Sequence, residues 1–138
     1  MIILDTDVIS ALMRSQPEQP VVQWLDTQPQ SSVWISAITV MEVRYGLEIM
    51  PTGHRREAMT KSFELLVDDK IERRIAPFDN EAAQQAAELM AARKVRGRPG
   101  DVKDTMIAGI ALATHATIAT RNTSHFADLS VPVINPWE

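Results

Sequence analysis

A chain of 138 residues with 45% hydrophobic and 23% charged residues is the size of one globular domain, here residues 1–138, and no internal repeat divides it. The absence of cysteine excludes a disulfide scaffold, a thiolate nucleophile and cysteine-ligated zinc. A net charge of −4 argues against holding duplex DNA by phosphate neutralisation alone, so any nucleic acid has to be met by a local basic segment.

The chain opens on "MIILD", a strand in length and composition that ends in acid. Asp7 is placed to cap a short helix running through Met13. Asp5 and Asp7 break the apolar start before a signal peptide can form, and "MIAGIALA" falls far short of the ~20 residues of a membrane span. A cytoplasmic protein without a membrane segment is the expectation. After the "QPEQP" turn, "VVQWLDTQ" reads as a second helix and "SVWIS" as a second strand. Ser36 then caps the helix "AITVMEVRYGLEIM", which Pro51 ends. A long amphipathic stretch runs from Arg55 to about Asp69, followed by a short strand "RIAPF". A helix capped by Asp79 continues to Gly97. "RPGD" turns into the helix "VKDTMIAGIALATH", and "ATIATR" and "VPVINP" complete the strands. Strands alternate with helices, which predicts an α/β fold: an α/β/α sandwich around a mostly parallel sheet. In such sheets ligands gather beyond the carboxyl ends of the strands, where Asp5, Thr120, Arg121 and Asn122 would lie.

Two acids break the helical patterning. Glu42 shares the spacing of Ile38, Met41, Tyr45 and Ile49, which predicts an inward or cleft-facing carboxylate. Such a group has to be paired with an arginine, neutralised or used. Asp104 shares a face with Ile107, Ala108 and Ala111, while Asp101 after "PG" is placed as an N-cap to which Asp104 can reach back. If Asp5, Glu42 and Asp104 converge on the sheet rim, their repulsion calls for a cation, and an oxygen-only donor set favours Mg2+ or Mn2+. A hard cation on a phosphate is the chemistry of phosphodiester hydrolysis. The basic candidates for RNA contact are "HRR" at 54–56, "RR" at 73–74 and, foremost, "RKVRGR", with Arg93, Lys94, Arg96 and Arg98. The plainer reading of each is a solvated face or a cationic helix end. His54, His115 and His125 read as surface residues.

"ILDTDVIS", "ISAITVMEVRYGL", "DTMIAGIALATHATIATRN" and the closing "INPW" together resemble the PIN-domain family, in particular the VapC-type toxins of toxin-antitoxin pairs and their FitB-like branch. The resemblance covers nearly the whole chain in order. It implies a Mg2+- or Mn2+-dependent endoribonuclease held inactive by a cognate antitoxin, with Asp5, Glu42 and Asp104 as metal ligands. It also implies a homodimer, and contact with operator DNA only through the antitoxin complex. Many members carry a fourth acid in the segment reading "TRNTSHF" here, where this chain has Asn122 at the position some relatives give to aspartate and His125 at the position others do. Asp101, Thr120 and Arg121 are auxiliary candidates. Two rivals stand beside this: a degenerate PIN domain serving as an antitoxin-bound partner or corepressor, and a haloacid-dehalogenase-like phosphohydrolase suggested by "LDTDV" and "GDVKD". The second requires its late acidic motif to follow an apolar strand, whereas "RGRPG" precedes it.

Overall fold

The computed structural model describes residues 1–138. Five strands, β1 (Ile2–Leu4), β2 (Val33–Ser36), β3 (Ile75–Ala76), β4 (Thr117–Ala119) and β5 (Val133–Ile134), form one sheet in the order β3-β2-β1-β4-β5. Every pairing is parallel, with Ile3 opposite Trp34 on one side and Ile118 on the other. All-parallel sheets need cover on both faces, and helices α1 (Thr6–Met13), α2 (Gln19–Asp26), α3 (Ala37–Ile49), α4 (His54–Leu65), α5 (Asn80–Val95) and α6 (Val102–Thr114) supply it. Side chains alternate across the sheet accordingly. Leu4, Val33, Ile35 and Ala119 join Val8, Ile9, Val43 and Phe63 in one core, while Ile3, Ala76 and Ile118 join Ala82, Ile107, Ile110 and Phe126 in the other.

The chain builds outward from β1 to β2 and β3, then returns through α5 and α6 to lay β4 on β1's free side. The order therefore reverses between β1 and β4, and the carboxyl ends of those two strands flank the crevice in which an open parallel sheet binds ligands. Asp5 and Thr120 are the residues that leave those ends.

The cap at the start of α1 differs from expectation. Asp5 is the N-cap, its Oδ1 accepting the Thr6 N–H at 2.8 Å, and Asp7 sits within the first turn with its carboxylate free for other partners. Ser36, Asp79 and Asp101 cap α3, α5 and α6 as their positions predict. The stretch from Arg55 breaks into α4 and a π-turn over Leu66–Lys70, and "RIAPF" contributes only two residues to the sheet edge.

α5 and α6 approach closely because Gly109 lacks a side chain: a Cβ there would stand 2.5 Å from the Ala82 carbonyl oxygen and 2.8 Å from Ala86 Cβ. Alanine at 109 should force the helices apart and cost about 2 kcal/mol despite its better helix propensity, measured as a lower denaturation midpoint. An unchanged midpoint would show that the pair can slide without loss.

A candidate acidic site at the sheet switch point

Asp5 is buried at 5% exposure, and Thr120 is sealed completely. The Thr120 hydroxyl donates to Asp5 Oδ2 at 2.8 Å, joining residues 115 positions apart across the β1/β4 junction. Burial pushes the Asp5 carboxyl up to about 6, and the charges of Asp7 and, less strongly, Asp104 add to the rise against the hydrogen bonds from Thr120 and Thr6. The same group thus serves as helix cap and as floor of an acidic crevice.

Glu42 reaches this floor through Thr6. The Thr6 hydroxyl donates to Glu42 Oε1 at 2.9 Å and stands 3.0 Å from the Thr39 hydroxyl, while Lys103 Nζ lies 3.9 Å from Glu42 Oε2. Its half-buried position agrees with a cleft-facing carboxylate, but the reason differs from the one its spacing suggested. The buried stripe of α3 is Ile38, Thr39, Val43 and Leu47; Tyr45 and Ile49 are each 65% exposed and Met41 faces solvent as well. Glu42 lies at the border of the true stripe, turned towards α1.

Asp104 follows the cap of α6, donating its N–H to Asp101 Oδ1 at 3.1 Å, and its own carboxylate turns to His125, whose Nδ1 lies 2.9 Å from Oδ2. Asp101, Asp104, Arg96, Arg98, Ser124 and His125 line an open cavity of about 760 Å3. His125 is exposed at the end of a short helical turn, as its sequence context suggests, and it also partners Asp104. Nothing local could reveal this, since its partner is 21 positions away on another helix.

The basic segments divide. Arg93 is 4% exposed and belongs to the interior: Nε and Nη2 hold Asp128 at 2.9 Å each, Nη1 donates to Thr105 and Nη2 also to the His125 carbonyl. Its expected role as an RNA contact is corrected on that ground, because a guanidinium with its donors already engaged cannot greet a phosphate. Lys94 lies on a separate depression with Met90, Pro99 and Val102. Arg96 shares Asp128 at 2.8 Å, which leaves Arg98 the cation of the cavity with no ion pair. Of the other segments, Arg74 is committed to the Val33 carbonyl and Arg56 to Glu48.

Arg121 does not aim its guanidinium at the acids. It packs over the Trp137 ring at 4.9 Å, and only its N–H turns inward, to Asp7 Oδ2 at 3.0 Å. Asn122 Nδ2 approaches the same oxygen at 3.4 Å. Asp7 is thus the site-wall residue that the capping pattern concealed, and burial raises its carboxyl above the ordinary range.

No three acidic or imidazole side chains close into a ready-made ligand cage. The donors nevertheless suit a hard divalent cation: every candidate is a carboxylate oxygen, two of the carboxyls are held above their normal pKa, and Asp7 Oδ1 is sealed from water without a hydrogen-bond partner. The "GDVKD" acids open α6 after a loop instead of ending a strand, so the phosphohydrolase arrangement is absent.

The family model of the PIN domain matches residues 2–131, nearly the whole of this all-parallel fold. The VapC ribonuclease Y4jK of Sinorhizobium fredii is 41% identical over 100% of this chain and 99% of its own length. Toxin FitB of Neisseria gonorrhoeae is 37% identical over 99% of each. The crystal structure of FitAcB from that organism superposes with a TM-score of 0.89 at 37% identity, covering 100% of this chain and 99% of that one. The chain belongs to the PIN-domain family and, within it, to the VapC and FitB group.

Proposed function

We propose that the protein is an endoribonuclease toxin that hydrolyses RNA phosphodiester bonds with a divalent cation, Mg2+ or Mn2+, and is restrained by a cognate antitoxin. What supports this reading above all is the gathering of acids at the switch point, where Thr6 joins Asp5 to Glu42 and Asp104 stands near enough for its charge to raise the Asp5 carboxyl. These three carboxylates would hold the cation, with water or substrate oxygens completing its shell. The cation supplies Lewis acidity to the phosphoryl oxygen and lowers the pKa of water to give a nucleophile at neutral pH.

The protein's own groups prepare the rest. Thr120 fixes Asp5 by donating to Oδ2, so that the carboxylate cannot rotate away. His125 holds Asp104, and Asp101 anchors the turn that presents it. Lys103 lies close enough to Glu42 to temper its charge before a cation arrives. Single-stranded RNA suits an open rim, because its bases can be splayed while its backbone crosses the acids. Arg98, with Arg96 beside it, is placed to receive a flanking phosphate in the cavity that also holds Asp104.

The antitoxin assignment draws on the relatives: FitAB was solved bound to a DNA fragment, and VapBC of Salmonella typhimurium was crystallised bound to DNA. An acidic toxin leaves operator contact to its partner. Assembly as a homodimer accompanies the same reading.

The test is cleavage of single-stranded RNA by the antitoxin-free protein, with and without Mg2+ or Mn2+. Metal-dependent cutting supports the proposal; intact RNA with full antitoxin binding would favour a degenerate, partner-only domain. Replacing Arg96 and Arg98 together by alanine should weaken RNA binding several-fold and flatten its salt dependence, read by titration at 50 and 200 mM salt. An unaltered salt slope would move the RNA path elsewhere.

A further inference from the structure

Most lysines and arginines of the chain are paired with a carboxylate; those without an ion pair are Arg55, Lys61, Lys94, Arg98 and Arg121. Two of these stand by the acidic crevice. Arg98 lies in the cavity with Asp104, and Arg121 follows Thr120, whose hydroxyl holds Asp5 at 2.8 Å. Arg121 is exposed, and its guanidinium donates no hydrogen bond to the protein. It is held all the same, 4.9 Å over the Trp137 ring. We propose that Trp137 aims Arg121 at a backbone phosphate of single-stranded RNA, on the flank of the crevice opposite Arg98, so that the strand crosses the acids between two cations. The proposal rests on the ribonuclease reading above and gives its substrate a path.

Three features carry it. First, the platform is built. Trp137 Nε1 donates to Glu18 Oε2 at 2.7 Å, Arg14 holds the other Glu18 oxygen at 3.1 Å, and the Trp137 N–H donates to Asn135 Oδ1 at 2.9 Å. Second, the ring attracts the cation through its face and takes none of its N–H donors, so the whole fork stays free for a phosphate. It also keeps the side chain off the nearest carboxylates. The Arg121 N–H already meets Asp7 Oδ2 at 3.0 Å, and a loose guanidinium there would swing onto that anion and occupy the crevice itself. Covering an indole needs only an apolar side chain. Third, the flanks follow from the packing: Trp137 packs on the core of Val8, Val21 and Val43, whereas Phe126, next to His125 of the Arg98 cavity, lies in the core of Leu89 and Ile107 across the sheet. Trp137 is thus a positioning residue that acts through Arg121.

The experiment is binding of a labelled single-stranded RNA to the full chain free of antitoxin, read by fluorescence anisotropy at about 50 and 200 mM salt. Ca2+ serves as the hard cation for the carboxylates, and gels check that the strand stays whole. Arg121→Met, which keeps an apolar stem on the ring, should weaken binding about fivefold at the lower salt and make the salt slope shallower by about 0.7, the share of one single-strand phosphate. Trp137→Leu should weaken it about threefold when Arg121 is present and no further in the Arg121→Met background. Arg98→Ala should multiply the Arg121→Met loss, as two separate phosphates require. Unchanged affinity and salt slope in Arg121→Met overturn the proposal. So does an equal loss from Trp137→Leu with and without Arg121, which a merely structural ring would give. Should Trp137→Leu fail to fold, as checked by melting, Arg121→Met alone decides. A parent that shows these losses but does not cut the RNA with Mn2+ would overturn the ribonuclease reading and uphold the phosphate contact; a parent that does not bind the RNA overturns both.

Discussion

Asp5→Asn should lower metal-dependent RNA cleavage by at least about a hundredfold while making the metal-free protein more stable at neutral pH. The two effects have one origin. The carboxyl titrates at about 6 in the fold, against 3.8 for an unperturbed aspartate, chiefly because it is buried and secondarily because of Asp7. The folded state therefore holds this proton more tightly than the unfolded chain. The protonated group's stabilising contribution is complete below about pH 4 and is lost as pH rises through about 6, leaving an ionised Asp5 that costs roughly 3 kcal/mol at pH 7. Asparagine keeps the shape and the cap on Thr6, gives up the bond accepted from Thr120, and carries no such penalty of charge. Thermal melts in chelator should show the variant above the parent at pH 7 and near it at pH 4. A variant that melts below the parent at pH 7 would refute the proposed strain, and one that still cuts RNA at parental rate would remove Asp5 from the chemistry.

The second large effect falls on a residue that sequence placed at the surface. Arg93→Met should destabilise the protein by about 3 kcal/mol in chemical denaturation, since it strips Asp128 of two hydrogen bonds and the His125 carbonyl of one. Hydrogen bonding from Arg93 is also the main reason the Asp128 carboxyl sits below its ordinary range. The parent therefore gains this contribution above the usual aspartate pKa and loses it as pH falls through the depressed one. Pairing Arg93→Met with Asp128→Asn should give less than the sum of the two, as coupled partners do. A loss under about 1 kcal/mol would mean that the 123–128 segment is anchored by other means.

The fate of these two residues shows what a linear reading can reach. Asp5 was legible because a buried strand ending in acid is an anomaly within five residues of chain. Asp104 was legible because its face is otherwise apolar, and the alternation of elements made the parallel sheet legible too. Glu42 was found by a flawed route: α3 carries two apolar stripes, and choosing Met41, Tyr45 and Ile49 as the buried one mistakes which side meets the sheet. Periodicity gives a helix's period but not its phase when both sides are apolar. Arg93, Asp7 and His125 shared another obstacle. Their partners are Asp128, residues 120–122 and Asp104, and such distant pairings leave no trace in local spacing. A basic run then looks solvated, and an aspartate before a helix looks like a cap.

The hydrogen bond from Thr120 to Asp5 ties the second strand end of the crevice to the first across almost the whole polypeptide. During synthesis β1 must wait, its hydrogen-bonding edge towards β4 unmatched, until residues 117–119 leave the ribosome. Interrupted translation products would consequently be blunt, owning most of the acids but not the frame that aims them.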